Sequence, residues 1–268
     1  MQVRVDDKEN ILFGLKVFFS AVVVYGAVVL VRTLSGSRNM SGVTTLTTFV
    51  IYAVVMWLFF MVQKVYLVAY MKGNGVPVTE RQFPEVHAAY LAMAGELGLA
   101  KVPSLFVIQQ GGLLNAFAVR FSGRNYVAIY SDVFALAAAD PVAVRFVLAH
   151  ELGHVKRHHM SKFFWTFPSS VVPFLSAAYS RSCELTCDNI GLACAGAGSE
   201  RGLLVLAAGK DLYRGVDIGA YLDDAARNES PAVRLVGLCL GHPYLPRRLR
   251  NLRSLSGQIA RGALPGPG

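Results

Sequence analysis

In the stretch Val147 to His159, VLAHELGHVKRHH, two histidines stand four residues apart and a glutamate directly follows the first. Residues i and i+4 of a helix share a face, so His150 and His154 can present imidazole nitrogens to one ion while Glu151 lies beside them, within reach of a bound water. Zinc suits such a set. It takes two histidines, one further protein ligand and a water, lowers the pKa of that water to about 7, and leaves a carboxylate to accept the proton. The pattern is short, and three polar residues on an ordinary helix would read the same, so the rest of the chain has to decide between them.

A third ligand is needed. A histidine six residues past His154 would mark a metzincin, but that position is Met160. His158 lies four residues past His154, yet three ligands along one helix row would be stretched over about 12 Å of axis, too far for one ion. The better candidate is Glu184 in SRSCELTCDNIG, with Asp188 one turn later on the same face. There Glu184 completes the site, and Asp188 can accept a hydrogen bond from the far nitrogen of a ligand histidine and fix its tautomer. Taken alone, such a pair is a solvated helix face.

These residues must be carried by regular elements. Asp140 as N-cap and Pro141 at the first helical position open the helix bearing His150 and His154, and Val147, Leu148, Leu152 and Val155 give it an apolar side to bury. Upstream, KGNGVPVTE reads as a linker, with Thr79 capping a helix that runs to about Leu97. Between Ser104 and Ser131 the chain alternates and is broken by Gly111-Gly112 and Ser122-Gly123-Arg124-Asn125. That pattern predicts a small antiparallel meander of about three strands, followed by a short helix from Asp132.

Of the 268 residues, 54% are hydrophobic, more than a soluble domain usually carries. The excess sits in Ile11–Val31 and Leu46–Val62, each close to the roughly 20 residues that cross a bilayer core. The leading MQVRVDDKEN is too acidic for a signal peptide and no small-residue cleavage site follows, so a two-helix transmembrane hairpin is expected, with Lys16 snorkelling to the interface. The net charge of +9 is scattered and accompanies no nucleic-acid motif. Lys and Arg flank the hairpin at both chain ends, with Arg32 and Arg38 in the connection, which predicts an inner-membrane protein whose catalytic part faces the cytoplasm. Cys183, Cys187, Cys194 and Cys239 form no CxxC pair and are expected as core thiols. A third apolar stretch, Phe163–Ser180, cannot cross the membrane, because His154 and Glu184 flank it and must meet at one ion. It is expected to dip into the bilayer surface or to join the core. The chain thus divides into an anchor over 1–72, a domain over 73–258 in which 162–180 is the dipping or core segment, and a disordered tail over 259–268.

From about Gly75 to Leu255 the chain resembles the gluzincin peptidases that include the HtpX-like membrane proteases and the CAAX prenyl endopeptidases, through NAFAV, HELGH, ELTCD and GHPYLPRRLRNL in that order. The resemblance implies an α+β, mostly helical zincin-type domain and one Zn2+ per chain held by His150, His154 and Glu184, with Glu151 as general base and Asp188 behind a ligand. It also implies an edge strand carrying Asn115, Ala116 and Phe117 that pairs with an extended polypeptide substrate, unless Asn115 is only a hairpin residue. His242, a catalytic candidate, and Arg248, a substrate-side candidate, are similar to the family's late His-Pro and downstream Arg, near the oxyanion or as braces. Cys187 stands where the family often has Ala. The partners expected are a polypeptide substrate, possibly membrane-associated, and the lipid bilayer; the oligomeric state is left open. A membrane protease of quality control or processing is the expected function, and a non-proteolytic scaffold with a structural or vestigial zinc site is the alternative.

Overall fold

Two long apolar helices open the chain in the computed structural model, which describes residues 3–36, 40–109 and 116–261. They are α1 (Asp7–Gly36) and α2 (Met40–Asn74), each long and apolar enough to cross a membrane, over Asp7–Thr33 and Thr47–Asn74. At 1.5 Å per residue such spans are about 40 Å long, enough for a hydrocarbon core of about 30 Å. Phe18, Tyr25, Phe49, Trp57 and Tyr66 point outward from them, as side chains facing lipid would.

The helices do not stop where the domain starts. The expected boundary at residue 72 falls inside α2, whose last turns bury Val68 and Met71 against one face of a sheet. That sheet comprises β1 (Val76–Pro77), β2 (Ser104–Ile108), β3 (Ala116–Phe121) and β4 (Arg124–Tyr130), in the order β1-β2-β4-β3. It is mixed, not the antiparallel meander that alternation suggested. β3 and β4 form a hairpin, but β4 then pairs parallel with β2, leaving β3 at an edge. Alternation reports which faces are buried and is silent on strand order.

The other face of the sheet, with Leu105, Val127 and Ile129, joins the main core. Among the described residues, eight further α-helices follow α3 (Pro84–Glu96): α4 (Ser131–Phe134), α5 (Pro141–Lys156), α6 (His159–Trp165), α7 (Leu175–Ala195), α8 (Glu200–Leu212), α9 (Ile218–Arg227), α10 (Pro231–Cys239) and α11 (Leu245–Ala260). Thr79 does not cap α3; it closes a tight turn with Gln82, and α3 begins at Pro84 after Phe83, whose backbone is left-handed. Asp140 does cap α5, accepting from the Ala143 N–H at 3.2 Å. α11 runs on to Ala260, so Ile259 and Ala260 of the expected tail are helical, while 262–268 lie outside the described residues.

α5 and α7 cross at the centre, at glycines. A Cβ on Gly191 would stand 2.7 Å from two ring carbons of Phe146, and one on Gly153 would stand 3.2 Å from Cys187 Sγ. This close approach sets the distance between the HELGH and ELTCD faces. Phe146, Leu148, Leu152, Ile190, Leu249 and Leu252 fill the space around it.

The third apolar stretch is a hairpin of α6, a 3₁₀ turn over Phe167–Val171 and the start of α7, laid along α1. Ser20 Oγ donates to the Thr166 carbonyl at 3.2 Å and accepts from the Ser169 N–H at 3.1 Å. Trp165 and Val171 remain 75% and 71% exposed, more apolar surface than a core segment would show. Lys16 does not snorkel. It is fully buried under this hairpin, donating to Ser176 Oγ at 2.6 Å with its ammonium near the faces of Phe163 and Tyr179. Of the cysteines, Cys183, Cys187 and Cys194 are buried, while Cys239 is exposed on α10.

Candidate active site

The elements meet around a cleft of about 510 Å³ lined by α5, α6, α7, the edge strand β3 and the chain entering α11. His150 and His154 project from α5, and Glu184 comes up to them from α7. Its carboxylate reaches both: Oε2 lies 3.3 Å from His150 Nε2 and Oε1 lies 3.4 Å from His154 Nε2. Ligand atoms about 2.0–2.2 Å from an ion at the centre of a tetrahedron stand about 3.3–3.6 Å apart, and both carboxylate-to-histidine distances match that spacing. Glu151, also buried, lines the same cleft.

Cys187 Sγ also comes within 4.8 Å of nitrogens of both histidines. It stands on their far side, fully buried outside the cleft lining and 3.7 Å from His159 Nδ1. Burial drives its thiol well above the usual range. Glu184 is the residue that faces the cleft.

Behind His150 lies Asp188, whose Oδ1 is 3.0 Å from His150 Nδ1. Arg248 holds that carboxylate with two hydrogen bonds, Nε to Oδ2 at 2.8 Å and Nη2 to Oδ1 at 2.7 Å. Burial would raise the pKa of Asp188, but the Arg248 guanidinium outweighs it and holds the group below its ordinary value. Burial would likewise raise Glu184, and the facing nitrogens of His150, His154 and His242 hold it well below the carboxylate range instead. Burial does raise Glu151, although the two histidines oppose it, and so makes it a stronger base than an exposed glutamate.

Ala116 and Phe117 line the cleft from the edge strand β3. Asn115 lies outside the described residues. His242 stands at the mouth with its side chain 72% exposed, Nδ1 3.0 Å from Glu184 Oε2. Arg248, read as a substrate-side candidate, is buried beneath Asp188 and Glu184, where its guanidinium braces two carboxylates. His158 points to solvent in a left-handed turn. That turn swings its neighbour His159 back under His154, Nδ1 to Nδ1 at 3.0 Å. Helical spacing gave no signal for His159, since the contact depends on the chain leaving the helix at His158.

Residues 80–170 match the sequence pattern described as Peptidase family M48. That stretch runs from the turn before α3 through β2, β3, β4 and HELGH into the 3₁₀ turn after α6, and stops short of Glu184. The chain is also similar to the Plastoglobule-localized metallopeptidase 48, chloroplastic, of Arabidopsis thaliana, 28% identical over 136 residues, which cover 45% of this chain. The match spans 38% of that relative's length. No solved structure matches the chain. Over part of its length the chain is therefore similar to M48 metallopeptidases, the family to which HELGH and ELTCD pointed.

Proposed function

We propose that this protein is a membrane-anchored, zinc-dependent endopeptidase in which His150, His154 and Glu184 hold the metal. The observation that carries the reading is the single carboxylate of Glu184 turned to the Nε2 atoms of both histidines at 3.3 and 3.4 Å, in a cleft shared with Glu151. A bound zinc ion would supply a Lewis acid and a water that ionises near neutral pH. Glu151 takes the proton from the attacking water and passes it to the departing amine. His242, at the mouth of the cleft, is the candidate donor to the developing oxyanion. β3, an edge strand of the described sheet along the cleft, would take an extended polypeptide by strand addition.

Asp188 and Arg248 fix the orientation of His150 from behind. α1 and α2 anchor the domain in an inner membrane, with the cleft on the cytoplasmic side. Substrates are then polypeptides close to the bilayer, in quality control or processing.

The experiment compares wild type with Glu151→Gln on an unfolded or membrane-tethered polypeptide in detergent, zinc being measured on the same samples. Gln keeps the shape of Glu and loses its basicity, so turnover should fall about 10²- to 10⁴-fold with zinc unchanged. Equal cleavage by both would end the catalytic reading. No cleavage by either, with the cellular role intact in both, would favour the scaffold.

A further inference from the structure

Glu9 is a buried carboxylate in the first turn of a membrane-crossing helix, and the chemistry just described does not use it. A charge so fully buried is costly and calls for a partner of matching chemistry. Besides Thr186 of α7, three residues of the α5–α6 junction meet Glu9. Its Oε1 accepts from Arg157 Nε at 3.0 Å and Nη2 at 2.8 Å, lies 3.3 Å from His159 Nε2, and lies 3.6 Å from Lys162 Nζ. Arg157 and Lys162 would suffice to neutralise it. His159 does something else, because its second ring nitrogen is aimed at His154.

We infer that Glu9, through His159, positions His154 for metal binding, so that the first membrane helix is part of the site; the inference rests on the reading of His154 as a ligand. The hydrogen bonds can be assigned from the two ends. An ionised carboxylate only accepts, so His159 Nε2 carries the proton it donates to Glu9. The Nδ1 of a neutral His159 is then an acceptor, and the nitrogen facing it, His154 Nδ1, must be the donor. That tautomer leaves the lone pair of His154 on Nε2, the atom facing Glu184 at 3.4 Å. Every nitrogen in the chain has one consistent role, and a ligand imidazole ends with its free pair toward the cleft.

The arrangement mirrors the support of the other ligand. His150 Nδ1 meets Asp188, which Arg248 holds; His154 Nδ1 meets His159, which meets Glu9, which Arg157 holds. Asp188 and Arg248 come from α7 and α11 of the domain, while Glu9 comes from the anchor. The left-handed backbone at His158, unusual outside glycine, is the bend that delivers His159 to both partners.

The test is zinc affinity by chelator competition on the full chain in detergent, with melting of the metal-free protein recorded alongside. His159→Phe keeps the ring and removes both nitrogens, and should weaken zinc binding about 10- to 100-fold, as losing an outer partner of a ligand does. His159→Asn restores a polar atom near the Nδ1 position and should recover part of the loss. Glu9→Gln should weaken binding in the wild-type background and add nothing in the His159→Phe background, because both act on one chain of hydrogen bonds. Lys162→Met, which also removes a contact to Glu9 but lies off that chain, should lower the melting temperature and leave zinc affinity alone. If Lys162→Met and Glu9→Gln weaken zinc equally, the cluster acts by folding alone and the inference is overturned. It is overturned also if His159→Phe binds zinc like wild type while Glu184→Ala loses it. If His159→Phe has no cooperative melt, His159→Asn and Glu9→Gln decide by the same criteria. A wild type without zinc, or a Glu184→Ala form that keeps it, would instead remove the metal assignment and this inference with it.

Discussion

Replacing Arg248 with Met tests the account of the buried charges directly. Met keeps most of the length and apolar stem of the side chain while removing the guanidinium. Asp188, with no exposure at all, would lose both of its hydrogen bonds from Arg248, at 2.8 and 2.7 Å, and Glu184 would lose a cation at 3.5 Å. Charge-assisted hydrogen bonds contribute about 1.5–3 kcal/mol each, and removing one partner of a buried ion pair costs about 3–5 kcal/mol. The two routes agree. For a domain of this size 1 kcal/mol moves the melting temperature by about 2–4 °C, so Arg248→Met should melt about 6–20 °C below wild type. The assay is thermal unfolding of metal-stripped protein in detergent, so that bound zinc does not mask the loss. Adding Asp188→Asn to Arg248→Met removes the unpaired charge and should recover part of the stability. A shift under about 2 °C, or a double variant less stable than both singles, would refute the reasoning.

Gly191→Ala places a Cβ 2.7 Å from the Phe146 ring and should cost about 1–3 kcal/mol. Gly95→Ala, with open space at its Cβ, should be neutral or slightly stabilising in the same melt. For orientation, Cys239→Ser first removes the exposed thiol. In that background Ser37→Cys should react with an impermeant reagent from outside the cell and Ser161→Cys should not. Labelling of Ser161→Cys and Ser180→Cys from opposite sides would contradict the cleft that His154 and Glu184 share.

The features legible in the sequence are those written in local spacing. HELGH on a helix opened by Asp140-Pro141, and Glu184 one turn before Asp188, obey a 3.6-residue period that the backbone enforces wherever the helix sits. The apolar runs around Phe18 and Trp57 are equally local, because crossing lipid is a matter of length and composition. What escaped depends on contacts between elements. Thr79 was misjudged because the local turn with Gln82 competed with capping, and the strand order because burial alternates alike in parallel and antiparallel sheets.

Tertiary structure alone decided the surroundings of the two histidines. No spacing rule links Glu9 to His159 across 150 residues, or Lys16 to Ser176 across 160; those pairs exist because α1 lies against α7 and the α6 hairpin. Arg248 likewise became a brace only when α11 docked beside α7 and brought its guanidinium to a carboxylate no water reaches. A helix period determines which side chains share a face. Which buried charge that face must answer is settled only when the faces meet, because an unpaired charge becomes costly once water has been excluded.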